Sequence, residues 1–462
     1  GSLYKLDPED GHIISKADKV ANGYNVFLTS NGDDTIFVQD SGYDSSGNPY
    51  CNPVRAYQTS DLSLKWTSDI KSSSFYCNSP LTYADGCVYG NDGKTFFALN
   101  AENGEKLWSK DSQNGVSNSA PLVLGNVVIF GDNSGTLYSY KKNGTPLYTS
   151  SIGENQAIYS SFTPADGKIY YITHKPNARP ELHQTLIDST TGAFSKDRSV
   201  TLNATNSTTT PRVKNGKIYV GGSNGSDGIV ALYDTDLKLL GSKTISGMGK
   251  TFNIQAFDDP DDPDNTLLYS AVFGSSNPSD YSAKDPGTAI SLTEKNGKLS
   301  DPITYSSLTV SKAPNFSDAQ ITLGSDGTLY YSNDSGVLLA LKAKESPASA
   351  SQSDQENENA NEKPKTSSMN VQVTDPKSVS STGNSASANS TAGLSTADSK
   401  AISPAAKSTG AKSSSKSPAT GETPSFPLLP LVLFGLAAAV FAATGAKGSE
   451  KKNEKKNMRR SL

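Results

Sequence analysis

The stretch CVYGNDGKTFFALNAENGEKLWSKD, Cys87 to Asp111, decides the fold. A short apolar run ends at Gly90, and Asn91-Asp92-Gly93 then reads as a turn. An alternating segment follows from Thr95 to Leu99, a second turn at Asn103-Gly104, and a last segment ending on Trp108. Period-2 alternation punctuated by Asn, Asp and Gly predicts antiparallel strands joined by tight turns.

The unit recurs. VVIFGDNSGTLYSYKKNGTPLY (Val127 to Tyr148), KIYVGGSNGSDGIVALYDTDLKLL (Lys217 to Leu240) and TLYYSNDSGVLLALKAK (Thr328 to Lys344) repeat it, and weaker copies end near Trp66, Phe194 and Leu299. The opening GSLYKLDPEDGHII supplies a half copy, so an upstream half-repeat is expected. Each copy has a strand ahead of it, as in NSPLTYADGCVY and SAPLVLGNVVIF. A unit of three or four strands at a spacing of about 40 residues has the size of a propeller blade. The expected fold is all-β, a propeller of seven or eight four-stranded blades over residues 1–344. One blade cannot bury both faces, so Phe96, Phe97, Tyr138, Tyr140, Leu232 and Tyr233 are expected between blades.

The repeat underlying these copies, Gly-x-Leu-Tyr-Ala-Leu-Asp-x-x-Thr-Gly-x-x-x-Trp, resembles that of the PQQ-like (quinoprotein-alcohol-dehydrogenase-like) β-propeller proteins; TFFALNAENGEKLW and GSLYKLDPEDGHII carry the likeness. That superfamily includes dehydrogenases, assembly scaffolds and surface proteins without enzyme activity, so the resemblance implies the fold more than the function. Its quinone enzymes hold PQQ against a Trp face and a disulfide between adjacent cysteines, with Ca²⁺ on acidic and amide ligands and an Asp as base. No two cysteines are adjacent here, and the two tryptophans, Trp66 and Trp108, fall at the strand-end position of the repeat, where packing between blades accounts for them. No bound cofactor is expected, PQQ in particular, and a binding protein rather than an enzyme is the expectation.

The other residues that carry chemistry are sparse. His12, His174 and His183 lie in different parts of the repeat, the last two flanking a Pro-rich stretch, HKPNARPELH, that reads as a surface loop. DDPDDPDN places Asp258, Asp259, Asp261, Asp262 and Asp264 on one stiffened loop, an oxygen-ligand set of the kind that takes Ca²⁺; a solvated turn is the alternative. The insertions SGYDSSGNPY (Ser41 to Tyr50) and GSSNPSDYSAKDPG (Gly274 to Gly287) are expected at one face of the disc, where a ligand could be met.

Three cysteines, Cys51, Cys77 and Cys87, match no zinc spacing and leave room for one bridge. A turn over Ala84-Asp85-Gly86 would set Tyr83, not Cys77, opposite Cys87. A bridge would then join Cys51 to Cys77 or to Cys87, and unbridged buried thiols are the alternative. A net charge of −4 offers no basic surface, so nucleic acid is not an expected partner.

After Lys344 the composition shifts. Residues 345–416 are Ser, Ala, Thr, Asn, Lys and Pro with too little apolar area to offset ordering entropy, and are expected to form a disordered stalk. Residues 426–446 carry no charge and match the ~20 residues that a transmembrane helix needs. The tail 447–462 is basic, which assigns it to the cytoplasmic side. Just ahead of the span stand Ser417, Pro418, Ala419, Thr420 and Gly421. Motif, span and basic tail, in that order over 417–462, resemble the cell-wall sorting signal of Gram-positive surface proteins, whose pentapeptide is Leu-Pro-x-Thr-Gly; Ser417 stands where that family has Leu. The resemblance implies cleavage between Thr420 and Gly421 by a sortase and transfer to peptidoglycan, with membrane attachment until then. The expected protein is a wall-anchored surface module binding an extracellular protein or glycan. The rival expectations are a quinoprotein-like surface enzyme and a scaffold for envelope proteins.

Overall fold

The computed structural model describes residues 1–343, apart from 24, 72, 113–117, 248–253, 273–287, 307–319, 325 and 333–337, and beyond them only Met369–Val373 and Ala438–Ala439. The expected stalk, sorting motif, span and tail otherwise lie outside the described residues, as does the Gly274–Gly287 insertion. All described residues belong to one compact unit. They form strands and turns, and among them no helix is long and apolar enough to cross a membrane.

Among the described residues, seven sheets of four or five strands follow one another along the chain as the blades of a β-propeller. A two-stranded antiparallel pair, Leu3–Leu6 with Ile13–Ala17, precedes the first blade. Ala438–Ala439 pairs in parallel with Leu3 and Tyr4.

The second blade shows how the sequence produces the unit. Its strands run Thr82–Ala84, Cys87–Asn91, Thr95–Asn100 and Lys106–Asp111, each antiparallel to the next. Asp85 and Gly86 both have positive φ, +48° and +76°, as a two-residue type I′ turn demands. Ala84 is therefore opposite Cys87, and Tyr83 pairs with Val88. The three-residue turn expected from sequence is one residue too long, because the Asp-Gly pair alone closes the hairpin. The same pairing of residue types closes Asp166-Gly167, Asn215-Gly216 and Asn296-Gly297.

Alternation then sorts side chains between two neighbours. Phe97 and Leu99 pack toward the first blade with Phe37 and Trp66, while Phe96 and Ala98 pack toward the third with Phe130 and Tyr138. The middle strands are buried on both faces, which is why TFFAL is almost continuously apolar. Every successive pair of sheets shares such a cluster, from Leu3 and Val20 against Ile36 and Val38 to Ala271 and Ala289 against Leu329 and Tyr331. All six aromatic and aliphatic residues expected between blades are there.

Hydrogen bonds reinforce the stacking. Ser79 Oγ donates to the Ser119 carbonyl, and Ser119 Oγ to that of Ser160, both at 2.7 Å. At the outer side Trp66 Nε1 donates to Ala101 O (3.1 Å) and Trp108 Nε1 to Lys142 O (2.7 Å). The tryptophans are thus packing residues between blades, as expected. In six of the outer hairpins the register slips by a bulge, which twists the edge strand and discourages edge pairing with other chains.

Candidate functional site

The first blade departs from the repeat. Its second strand, Thr35–Tyr43, runs on beyond its pairing with Arg55–Gln58, and Pro49–Cys51 folds back on the extension. Asp44 closes the hairpin tip, accepting from the backbone N–H of Ser46 (2.8 Å) and of Asn48 (2.9 Å) and from Asn48 Nδ2 (3.0 Å). The Asn48 side chain is foremost among the donors that hold the Asp44 carboxyl below its ordinary pKa. The tip is an anionic, preorganised turn.

In the ladder Ser41 opposes Cys51 and Tyr43 opposes Pro49, so these four side chains share one face. That face meets the connection to the second blade at two consecutive residues. The Tyr43 ring stacks on Tyr76 with centroids 5.1 Å apart and planes at 22°, and Ser41 Oγ donates to the Cys77 carbonyl. Asn25 Nδ2 donates to Tyr76 Oη (2.6 Å) and to Asn78 Oδ1 (3.2 Å), and Lys94 lies over the Phe75 ring at 5.5 Å. Tyr43, Phe75 and Tyr76 are each half-buried, and Tyr50, opposite Gly42, lies on the other face of the hairpin. The result is a fixed aromatic platform edged by amides, a hydroxyl and one ammonium group. It offers apolar area at little entropic cost together with directional polar groups, the combination that recognition surfaces favour.

The hairpin is fixed from its other face as well. Asp40 is fully buried and accepts from Arg55, from Asn52 Nδ2 (2.9 Å) and from the backbone N–H of Asn22 (3.1 Å) and Gly23 (2.9 Å). Four donors spread over three segments of the fold satisfy a charge that would otherwise be costly to bury.

The remaining candidates serve the scaffold. His174 ends the strand Lys168–His174 and His183 lies within Glu181–Ile187, so neither is on the surface loop that the Pro-rich stretch predicts. The loop is only the turn between them. Tyr171, not His174, is paired with His183, and alternation sends the two imidazoles to opposite faces of the sheet. His183 stacks on Tyr171 and contacts Thr173 (3.0 Å) and Asp197 (3.1 Å), a dyad with the make-up of a general base. It is 1% exposed, sealed from any substrate. Burial lowers the His174 pKa, against the opposing effect of a hydrogen bond to the Ser207 carbonyl.

The acidic loop serves lysines. Asp258 pairs with Lys214 (2.8 Å) and Asp262 with Lys295 (2.6 Å); Asp259 accepts from the Asp261 N–H (3.0 Å), and the Asp264 N–H donates to Asp262 (3.1 Å). Among the described residues, three metal-type ligand atoms come within 4.8 Å of one another at Asp7, Asp10 and His12 and not on this loop. Those three occupy the turn of the first strand pair, where Asp10 and His12 are exposed and paired at 2.6 Å. Of the residues with a predicted role, Ser417 to Gly421 lie outside the described residues.

Nothing in the sequence marked Tyr76 or Asn78, since they stand in an unpatterned connection. The signal available was the length of the Ser41–Tyr50 insertion relative to the other repeats.

Comparison with known proteins places the chain as follows. The family described as outer membrane protein assembly factor BamB matches residues 1–256. The crystal structure of BamB from Moraxella catarrhalis is similar with a TM-score of 0.45 and 16% sequence identity, covering 70% of this chain and 85% of that one. No curated protein matches.

Proposed function

The chain belongs to the family described as outer membrane protein assembly factor BamB, and on that premise we propose that it is a binding module displayed at the cell surface rather than an enzyme. The platform on the first blade is the ligand-binding face. The observation that carries this reading is the extension Ser41–Cys51, which a four-stranded blade does not need and which sets Tyr43 on Tyr76 at the surface. Two further facts support it. The family name describes an outer membrane protein assembly factor, and the His183–Asp197 dyad is sealed inside a blade, which leaves Asp10–His12 as the exposed histidine–carboxylate pair described above.

The ligand class proposed is an extracellular protein or glycan. Stacked tyrosines present flat apolar faces, and Asn25 and Asn78 present amides beside them. The C-terminal sequence supports the means of display: a Ser- and Ala-rich tether that leaves the propeller after the strand Met369–Val373, a sortase-cleaved motif at Ser417 to Gly421, and a span and basic tail that hold the chain until transfer to peptidoglycan. The expected location is the outer face of a Gram-positive cell wall.

The test is binding of the full chain to arrays of extracellular proteins and glycans, with Tyr43→Ala and Tyr76→Ala as controls. Binding that both variants weaken at least tenfold, with unchanged thermal stability, supports the reading; binding indifferent to both moves the ligand elsewhere. A dye-linked dehydrogenase signal after addition of PQQ and Ca²⁺ would instead make it an enzyme. The family name also favours a scaffold for envelope proteins, and crosslinking in cells distinguishes that role by the identity of the captured partner.

A further inference from the structure

The platform is built from two segments that little regular structure holds. One is the three-residue return strand Pro49–Cys51, and the other is the connection through Phe75 and Tyr76, which meets the first at an isolated bridge between Cys51 and Ser73. In that bridge the Cys51 N–H donates to Ser73 O at 3.1 Å and the Ser73 N–H to Cys51 O at 3.0 Å. Next to it, the hydroxyl of Ser41, the residue opposite Cys51, holds the carbonyl of Cys77. The two backbones are thereby brought together at Cys51 and Cys77, with the two thiols near enough to interact. Gln39 Nε2 donates to Cys51 Sγ at 3.3 Å, and Cys77 Sγ donates to Asn91 O at 3.2 Å. Both residues are buried, 1% and 0% exposed. Cys87 packs on the far face of the second blade, in the cluster shared with the third.

We infer that Cys51 and Cys77 are the disulfide-forming pair of this protein and that their bond clamps the two halves of the aromatic platform. The geometry leaves Cys87 as the free thiol, which resolves the pairing that spacing left open. In the bond-forming step two S–H bonds break and one S–S bond forms. The two protons and two electrons pass to a disulfide-bearing oxidant, a thiol–disulfide oxidoreductase of an extracytoplasmic compartment, which is reduced to its dithiol. Both residues are thiols in this structure. The hydrogen bond shared with Cys77, together with burial, pushes the Cys51 thiol far above its ordinary pKa, so Cys51 in the folded, reduced chain is a poor nucleophile. The bond therefore forms during folding, before the first two blades close over it.

The oxidant's compartment and the consequence for ligand binding rest on the function proposed above; the pairing of Cys51 with Cys77 does not. The experiment keeps them apart. The full chain is directed through the export route by a signal peptide, purified, denatured without reductant and labelled with a maleimide. One labelled thiol per chain, at Cys87, is expected, rising to three after reduction, with a non-reduced mass about 2 Da below that of the reduced chain. Peptide mapping should find Cys51 joined to Cys77. Three labelled thiols before reduction, a bond that includes Cys87, or a disulfide-linked dimer would overturn the inference. The Cys51→Ser variant should show two labelled thiols and a Tm lower by about 5 °C. Loss of ligand binding in that variant is read separately, so the disulfide stands or falls whatever the ligand result.

Discussion

Trp108 closes over Gly144 of the neighbouring blade. A Cβ on that glycine would fall 2.6 Å from the indole Cγ, and two residues earlier the Lys142 carbonyl accepts the indole N–H at 2.7 Å. Trp66 repeats the arrangement one blade earlier, against Gly104 and the Ala101 carbonyl. The Asn-Gly turn and the strand-end Trp of the repeat are therefore two halves of one joint, each completed by the neighbouring copy.

Gly144→Ala tests the joint. Gly144 has a φ of +83°, so alanine is strained there, and its methyl also meets the indole. The loss should be about 2–4 kcal/mol. Gly167, at +71° with open space around it, isolates the backbone contribution; Gly167→Ala should cost about 1 kcal/mol. Denaturant midpoints of the two variants give the difference. Equal losses would mean that the indole contact stabilises nothing.

Glu294 joins the fifth and sixth blades. It is fully buried and accepts from Lys217 Nζ (2.8 Å to each oxygen), from Tyr219 Oη (2.9 Å) and from the Gly297 N–H (2.6 Å). Glu294→Ala should destabilise by about 3–5 kcal/mol, because it strands the groups that the carboxylate satisfies. Combining Glu294→Leu with Lys217→Met should recover part of that loss. The coupling is read from a double-mutant cycle, and additive losses would show the pair to be independent.

Acid should destabilise the fourth blade through His174. Burial depresses its folded pKa below the ordinary 6.5, so on acidification the unfolded chain takes up a proton first. Stability is whole above about pH 6.5 and is lost as pH falls below it, by at most ~1.4 kcal/mol per pH unit. Unfolding free energies at pH 7.5 and 5.5 should differ less in His174→Gln than in the parent. An identical slope would place the titrating group elsewhere.

Wall attachment should depend on Thr420. Thr420→Ala should remove the chain from the peptidoglycan fraction and leave it in the membrane fraction with its C-terminus intact. Mass spectrometry of muramidase-released fragments checks this, expecting the parent chain to end at Thr420. Fragments that extend to Leu462 would point to plain membrane retention.

How much of this was legible depended on whether a residue's role is local. The Asp85-Gly86 turn, the alternation through Phe96 to Leu99 and the Trp positions are set by dihedral preference and a period of two, and each could be read from a few residues. The register at Cys87 differs by one from the expected pairing because two residues, Asp85 and Gly86, close the turn in place of three. His174 and His183 stand in strands and not in the loop that the prolines between them suggest, because the strands continue up to both sides of the turn. The platform was legible only as an insertion of unusual length.

Sequence by itself determined that this chain builds repeated antiparallel sheets, because turn chemistry and alternation act over a few residues and recur at each copy. Tertiary structure alone decided that Tyr43 meets Tyr76, that Cys77 rather than Cys87 lies beside Cys51, and that the acidic loop is spent on Lys214 and Lys295. Those contacts join different blades or different segments of a sheet, and their partners are chosen by how the sheets stack, which no local pattern encodes.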